Sequence, residues 1–196
     1  MNIGKIPAKT ARLAPSRGAL IDIPNDRRMT YGELDERVRR LANGLVDTLG
    51  LNKGDRVAIL SKNCIEYMEI YYACARCGLI AQPLNWRLGT EELARIIRDG
   101  GPTVAVVARE YADAGRTLQE QVEVKHWLAF GPGSDGSYDA LVSQSSADEP
   151  AASDSVGGDD PVLILYTGGT TGESKGALHT HHSLYMGMLN QTVAER

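Results

Sequence analysis

The chain has 196 residues, of which 42% are hydrophobic, so it is long enough to bury the core of one substantial domain. Its 21 lysines and arginines are outnumbered by 25 aspartates and glutamates, and the scattered arginines form no basic stripe for nucleic acid. The sequence has neither a long apolar run nor a signal-peptide pattern, so we predict a cytoplasmic protein without a membrane span.

Predicted strands and helices alternate along the first two thirds of the chain. Residues 1–29 contain three prolines and no sustained period, which predicts an extended arm with one short strand at 19–23. Thr30 and Glu33 have the spacing of a capping box, which predicts a helix that ends near Gly50. The next predicted elements are strand 56–60, a helix between an Asn63 cap and Gly78, strand 79–84, helix 90–98, strand 103–108, helix 111–121 and strand 126–130.

This alternation predicts an α/β fold: a mostly parallel sheet with helices on both faces, incomplete at its C-terminus. We divide the chain into an α/β subdomain with its leading arm (1–143), a mobile polar linker (144–160) and a last unit (161–196). The last unit contains a strand, a loop and a helix from about Thr180. Because these elements cannot bury their own apolar faces, we expect the first domain, further chain or a second subunit to cover them.

The loop at residues 167–176 carries the strongest functional signal. It follows an aliphatic strand and combines glycines, hydroxyl side chains and one lysine, a composition typical of polyphosphate binding. The predicted binding residues are Thr167, Gly168, Gly169, Thr170, Thr171, Gly172, Ser174, Lys175 and Gly176. The order of residues excludes a Walker A loop, since Lys175 follows the serine instead of preceding it, and there is no dinucleotide fingerprint at this strand exit.

The order Tyr-Thr-Gly-Gly-Thr-Thr-Gly-x-x-Lys-Gly-Ala, followed by Thr180-His181, resembles the phosphate-loop signature of the AMP-forming adenylate superfamily of synthetases and ligases. Segments 30–34, 54–58 and 78–85 are also similar to that family, and Asn85-Trp-Arg-Leu is similar to its acyl-CoA synthetase branch. There are two departures from the signature. Gly168 stands where serine is more usual, and Ser174 stands where proline is usual.

The resemblance implies the N-terminal part of an ATP-dependent acyl-CoA synthetase, which joins a carboxylic acid to AMP and then to coenzyme A. ATP, Mg²⁺ and coenzyme A are the implied cofactors, and a fatty, an aromatic or a short acid is the implied substrate. No catalytic residue is assigned, because the family's catalytic glutamate and lysine would lie beyond Arg196. No metal ligand is assigned either, Thr170 or Thr171 being at most a weak magnesium contact.

We therefore expect the isolated chain to be inactive in adenylation. The alternative interpretation is a non-catalytic nucleotide-binding or regulatory module with the same fold. Both interpretations retain the phosphate loop, so nucleotide binding alone does not separate them.

Two further groups of residues have metal or redox alternatives. Cys64, Cys74 and Cys77 fall within one predicted helix, where core packing is favoured over a redox pair or a zinc site. His179, His181 and His182 are spaced for a metal site, but a packed or solvated cluster is favoured over ligands. His181 also keeps the Thr-His position of the resembled signature, where its role is unassigned.

Overall fold

The computed structural model describes residues 1–168 and 174–194. Its helices are α1 (Ile6–Leu13), α2 (Tyr31–Asn43), α3 (Ile65–Cys77), α4 (Thr90–Gly100), α5 (Ala112–Gln121), α6 (Ser137–Gln144) and α7 (His181–Ala194). Its strands are β1 (Gly18–Asp22), β2 (Arg27–Thr30), β3 (Arg56–Leu60), β4 (Ile80–Leu84), β5 (Val104–Ala108), β6 (His126–Phe130), β7 (Pro161–Thr167) and β8 (Lys175–Thr180). A π-helical turn, Gly44–Thr48, extends α2.

A six-stranded sheet in the order β6-β5-β3-β4-β7-β8 forms the centre of the molecule. The neighbours from β6 to β7 pair in parallel, whereas β8 returns antiparallel to β7. Strands β1 and β2 form a separate antiparallel pair. The predicted α/β fold with a mostly parallel sheet is therefore confirmed, and β7 of the last unit packs directly on the first domain through β4.

Alternate residues of the parallel strands point into two apolar layers. Val57 and Ile59 of β3 face the layer formed with α2, α3 and α6. Ala58 and Leu60 of the same strand face the layer formed with α4 and α5. All four residues are at most 1% exposed, as expected for a strand that is covered on both faces.

Local signals locate several helix ends correctly. Thr30 and Glu33 form the predicted capping box at the start of α2. Gly78 ends α3 in the left-handed conformation, with φ of 76°. The predicted Asn63 cap is wrong, because the N-cap of α3 is Cys64, one residue later, and it makes no side-chain capping bond.

The extended arm is wrong over residues 6–13, which form α1. Pro7 lies in the first turn of this helix, where a missing N–H removes no helical hydrogen bond. Ile3 and Pro7 are buried, so packing against the domain stabilises a helix that is too short to be stable alone. The strand predicted at 19–23 corresponds to β1, and its partner β2 was not predicted.

Residues of the predicted linker make several contacts with the first domain. The Asn43 side chain donates to the carbonyl oxygens of Ser146 and Asp148 at 2.8 and 3.0 Å. The guanidinium of Arg76, only 1% exposed, forms an ion pair with Glu149. These contacts do not test the three-part division of the chain, which stays a prediction.

Candidate functional site

The predicted phosphate loop leaves the sheet at the end where its parallel strands finish. Strand β7 runs parallel to β4, so Thr167 at its carboxyl end lies at the same edge of the sheet as the residues that follow β3, β4 and β5. In open α/β sheets this edge is where ligands bind, because the loops there diverge and leave a crevice.

A β-hairpin holds the two ends of the loop together. Thr167 pairs with Lys175 across the hairpin, and Tyr166 pairs with Gly176. The prediction of one open loop from 167 to 176 is therefore wrong at its ends, since Thr167, Lys175 and Gly176 belong to strands. The sequence also failed to predict β8, because the run from Lys175 to Thr180 has weak strand propensity and depends on pairing with β7.

Five of the nine predicted binding residues are described by the structure: Thr167, Gly168, Ser174, Lys175 and Gly176. Gly169, Thr170, Thr171 and Gly172 lie outside the described residues. Thr167 and Lys175 are exposed, opposite each other. Among the carboxylates of the described residues, none lies within 4.0 Å of the Lys175 ammonium.

Gly176 has a packing role that the sequence did not reveal. A Cβ atom at this position would lie 2.8 Å from Cδ1 of Ile164 and 3.1 Å from Cζ of Tyr166. The glycine therefore lets the Tyr166 ring lie across the hairpin, where its hydroxyl donates to Oδ2 of Asp99 at 2.5 Å. Partial burial, followed by this bond to a carboxylate, raises the pKa of Tyr166 above its usual value.

Ser174 is held by a second carboxylate. Its hydroxyl donates to Oε1 of Glu92 at 3.3 Å, and both side chains are half-buried. The resembled signature usually has proline at this position, where the pyrrolidine ring would fix φ. In this chain the hydrogen bond to Glu92 restrains Ser174 instead.

An aromatic and basic cluster lies at the same edge of the sheet. Trp86, which follows β4, has the Arg87 guanidinium carbon 4.2 Å from its ring centroid and the Lys62 ammonium 5.2 Å from it. Tyr111 lies 6.3 Å from Trp86 between ring centroids, and Lys62 pairs with Glu110 at 2.9 Å. Lys62 and Tyr111 were not singled out from the sequence, although each closely follows a predicted strand.

A sequence model of the family described as AMP-binding enzyme matches residues 8–196. The chain belongs to this family. The match includes β7, β8 and the residues between them. The family resemblance therefore covers nearly the whole chain and is not confined to the phosphate loop. The matched range contains all six strands of the central sheet.

Curated AMP-binding relatives include ligases for different acids. The long-chain-fatty-acid–CoA ligase FadD13 of Mycobacterium tuberculosis is 36% identical over 184 residues, which cover 94% of this chain and 36% of that protein. Feruloyl-CoA synthase of an Amycolatopsis species is 36% identical over 197 residues, which cover 97% of this chain and 36% of that protein. The chain thus spans little more than a third of the length of these relatives.

Solved structures of AMP-binding ligases have the same fold. The N-terminal domain of FACL13 from Mycobacterium tuberculosis has a TM-score of 0.84 at 34% identity, covering 94% of this chain and 45% of that one. A putative long-chain-fatty-acid CoA ligase from Rhodopseudomonas palustris has a TM-score of 0.86 at 31% identity, covering 99% of this chain and 48% of that one.

Within this chain, His181 has a structural position at the start of α7. The side chain is buried, and its Nδ1 accepts a hydrogen bond from the Ile3 backbone N–H at 3.2 Å. Burial lowers the pKa of His181 to about 4, with opposing contributions from Asp160, which raises it, and from the Met1 amino group, which lowers it. His181 therefore anchors the N-terminal segment as a neutral imidazole.

The other candidate metal and redox residues are accounted for by packing and exposure. His182 is exposed, and His179 lies half-buried in β8. Cys74 and Cys77 are buried in the core, and burial raises the pKa of the Cys77 thiol to about 12. Across the described ranges 1–168 and 174–194, no group of three or more His, Cys, Asp or Glu residues is arranged to hold a metal ion.

In the same ranges, no helix is both long and apolar enough to cross a membrane.

Proposed function

We propose that this chain is the N-terminal part of an ATP-dependent acid–CoA ligase and that residues 167–176 bind the triphosphate of ATP. The observation that carries the proposal is the β7–β8 hairpin, which places exposed Thr167 and Lys175 opposite each other at the carboxyl edge of the sheet. Family membership supports the reaction class, in which a carboxylate reacts with ATP to give an acyl-adenylate and pyrophosphate, and coenzyme A then displaces AMP to give the thioester.

In the proposed site, Lys175 neutralises phosphate charge while hydroxyls and backbone amides of the loop donate hydrogen bonds. Gly169, Thr170, Thr171 and Gly172 stay predicted contacts. Magnesium is proposed only as the ion that enters with ATP, with Thr170 or Thr171 as its predicted protein contact. The described residues supply orientation and positive charge, and no step is assigned to the metal.

The substrate is proposed only as a small-molecule carboxylic acid, with fatty, aromatic and short acids all left open. FadD13 and feruloyl-CoA synthase are named for a fatty and an aromatic acid, and this chain is 36% identical to each. Equal identity to relatives named for such different acids does not favour either acid for this chain. We therefore propose that acid selection depends on chain not included in these matches.

Isothermal calorimetry with Mg-ATP tests the phosphate site. We expect the wild-type chain to bind and Lys175→Ala to weaken binding about tenfold or more, since one charge-assisted contact contributes about 1.5–3 kcal/mol. Lys9→Ala is the matched control, because Lys9 is an exposed lysine on α1, remote in sequence from the hairpin. Equal affinity of wild type and Lys175→Ala would contradict the proposed site.

Pyrophosphate exchange separates binding from catalysis. We expect the 196-residue chain to bind Mg-ATP without exchanging pyrophosphate at a rate near that of a full-length relative. Exchange at such a rate would contradict the proposal that the chain is only part of the catalytic unit.

A further inference from the structure

Helix α4 contacts both sides of the β7–β8 hairpin through two acidic side chains. Glu92 accepts a hydrogen bond from Ser174, just before β8, and Asp99 accepts one from Tyr166, near the end of β7. The two carboxylates are seven residues apart, which is close to two helical turns, so they lie on the same face of α4. One helix therefore restrains the chain near both ends of the predicted phosphate loop.

The helix that carries these carboxylates is itself firmly placed. Leu93 and Ile97 of α4 are at most 2% exposed in the layer beneath the sheet. At the end of α4, the Arg56 guanidinium donates to the carbonyl oxygens of Gly100 and Gly101 at 2.8 and 2.6 Å. Glu92 and Asp99 thus project from a well-packed helix toward the β7–β8 hairpin. Strand β8 of that hairpin is largely exposed.

The two contacts act on the residues next to the exposed pair. Ser174 precedes Lys175 directly, and Tyr166 precedes Thr167 directly. Because Thr167 and Lys175 face each other in the hairpin, a restraint on either neighbour restrains the separation of the whole pair. Side chains that bind a ligand tightly are those whose position is fixed before the ligand arrives.

We propose that Glu92 and Asp99 are positioning residues for the phosphate site. They fix Ser174 and Tyr166 and thereby hold Lys175 and Thr167 in place. The ligand in this inference depends on the proposed function, whereas the restraint on the hairpin does not, so the two can be tested separately.

Hydrogen exchange of the nucleotide-free 196-residue chain tests the restraint itself. In Glu92→Ala we expect exchange of the amides in segment 174–177 to rise about fivefold, as the segment opens more readily without its side-chain bond. Glu92→Gln should stay within about twofold of wild type, because its amide oxygen still accepts from Ser174. Ser174→Ala removes the same bond from the other side and should match Glu92→Ala.

Glu91→Ala is the matched control. Glu91 is an exposed glutamate in the same first turn of α4, so its removal changes helix charge by the same amount. If Glu91→Ala and Glu92→Ala raise exchange equally, or if neither does, the positioning role of Glu92 is overturned. Tyr166→Phe tests the Asp99 contact in the same way and should raise exchange at 165–167.

Binding of Mg-ATP tests the consequence for the site. We expect Glu92→Ala to weaken binding about fivefold and Glu92→Gln to restore most of it. Proline at position 174 restricts φ without a side-chain hydrogen bond, so in a Ser174→Pro background the Glu92→Ala change should no longer weaken binding. An undiminished effect of Glu92→Ala in that background would overturn the inference.

The two failures are distinguishable. Absence of Mg-ATP binding by the wild type would overturn the proposed function, and hydrogen exchange would then decide the positioning role alone. Normal binding by the wild type, combined with unchanged exchange and affinity in Glu92→Ala, would overturn the positioning role and leave the proposed function standing.

Discussion

Helices α3 and α4 both use acidic side chains to hold a neighbouring element, but in opposite surroundings. On α3, Glu69 is 0% exposed and accepts hydrogen bonds from Arg37 and from the Tyr138 hydroxyl. On α4, Glu92 is half-buried, Asp99 is exposed, and each accepts a bond from a neutral hydroxyl. The difference separates two tasks. The acid on α3 holds the fold together, whereas those on α4 hold a surface that we propose receives a ligand.

Removal of the buried acid should have the largest effect on stability. We expect Glu69→Ala to lower the free energy of unfolding by about 2–4 kcal/mol, because the buried Tyr138 hydroxyl loses its partner and Arg37 keeps only its ion pair with Asp139 at 3.2 Å. Urea denaturation at pH 7 measures the change. Asp113→Ala is the control, since it removes a surface ion pair with Arg116 and should cost less than about 1 kcal/mol.

Equal shifts of the unfolding midpoint in Glu69→Ala and Asp113→Ala would contradict the claim that the buried acid on α3 stabilises the fold more than a surface acid does. Glu69→Gln should fall between wild type and Glu69→Ala, because an amide oxygen still accepts from Tyr138 while the charge opposite Arg37 is lost.

Two neighbouring histidines extend the comparison to pH. His181 is buried with its pKa lowered to about 4, whereas His182 is exposed. A histidine whose folded pKa lies below the unfolded value of about 6.5 binds fewer protons in the folded state. The contribution of His181 to the free energy of unfolding is therefore complete above about pH 6.5. It is lost as pH falls from about 6.5 to about 4.

The loss of the His181 contribution to the free energy of unfolding should approach about 3 kcal/mol at pH 4. Because carboxyl groups titrate in the same range, the measurement is the difference between wild type and His181→Asn in urea denaturation from pH 7 to pH 4. His181→Asn should make stability less sensitive to pH. Identical pH profiles for wild type and His181→Asn would contradict this assignment.

The features predicted correctly are those determined by residues close in sequence. The capping box of Thr30 and Glu33 spans one turn, and Gly78 ends α3 because a left-handed conformation favours glycine. The alternation of apolar strands and amphipathic helices was enough to predict a parallel sheet. The glycine-rich run after β7 was likewise enough to predict a phosphate loop there, and its binding role stays a prediction.

The features missed depend on residues far apart in sequence. Glu69 meets a tyrosine 69 residues later, and Ile3 donates to a histidine 178 residues later. Neither contact has a local signature, so the buried role of His181 and the helix near Ile3 could not be predicted. The same reason applies to Ser174, whose partner Glu92 lies 82 residues earlier.

A glycine near each end of the predicted loop gives the smallest and most local test. Gly176→Ala places a Cβ 2.8 Å from Cδ1 of Ile164 and 3.1 Å from the Tyr166 ring. We expect a loss of about 1–2 kcal/mol in the free energy of unfolding, because the Ile164 and Tyr166 side chains must move to make room. Thermal or urea unfolding measures it.

Gly168→Ala is the matched change on the other side. Among the residues that the structure describes, no atom lies within 4 Å of a Cβ built on Gly168, so stability should change by less than about 0.5 kcal/mol. A cost for Gly168→Ala as large as for Gly176→Ala would mean that both glycines are fixed by packing. The expected difference would instead mean that Gly176 is fixed by packing against Tyr166, whereas Gly168 is exposed where we propose that a phosphate binds.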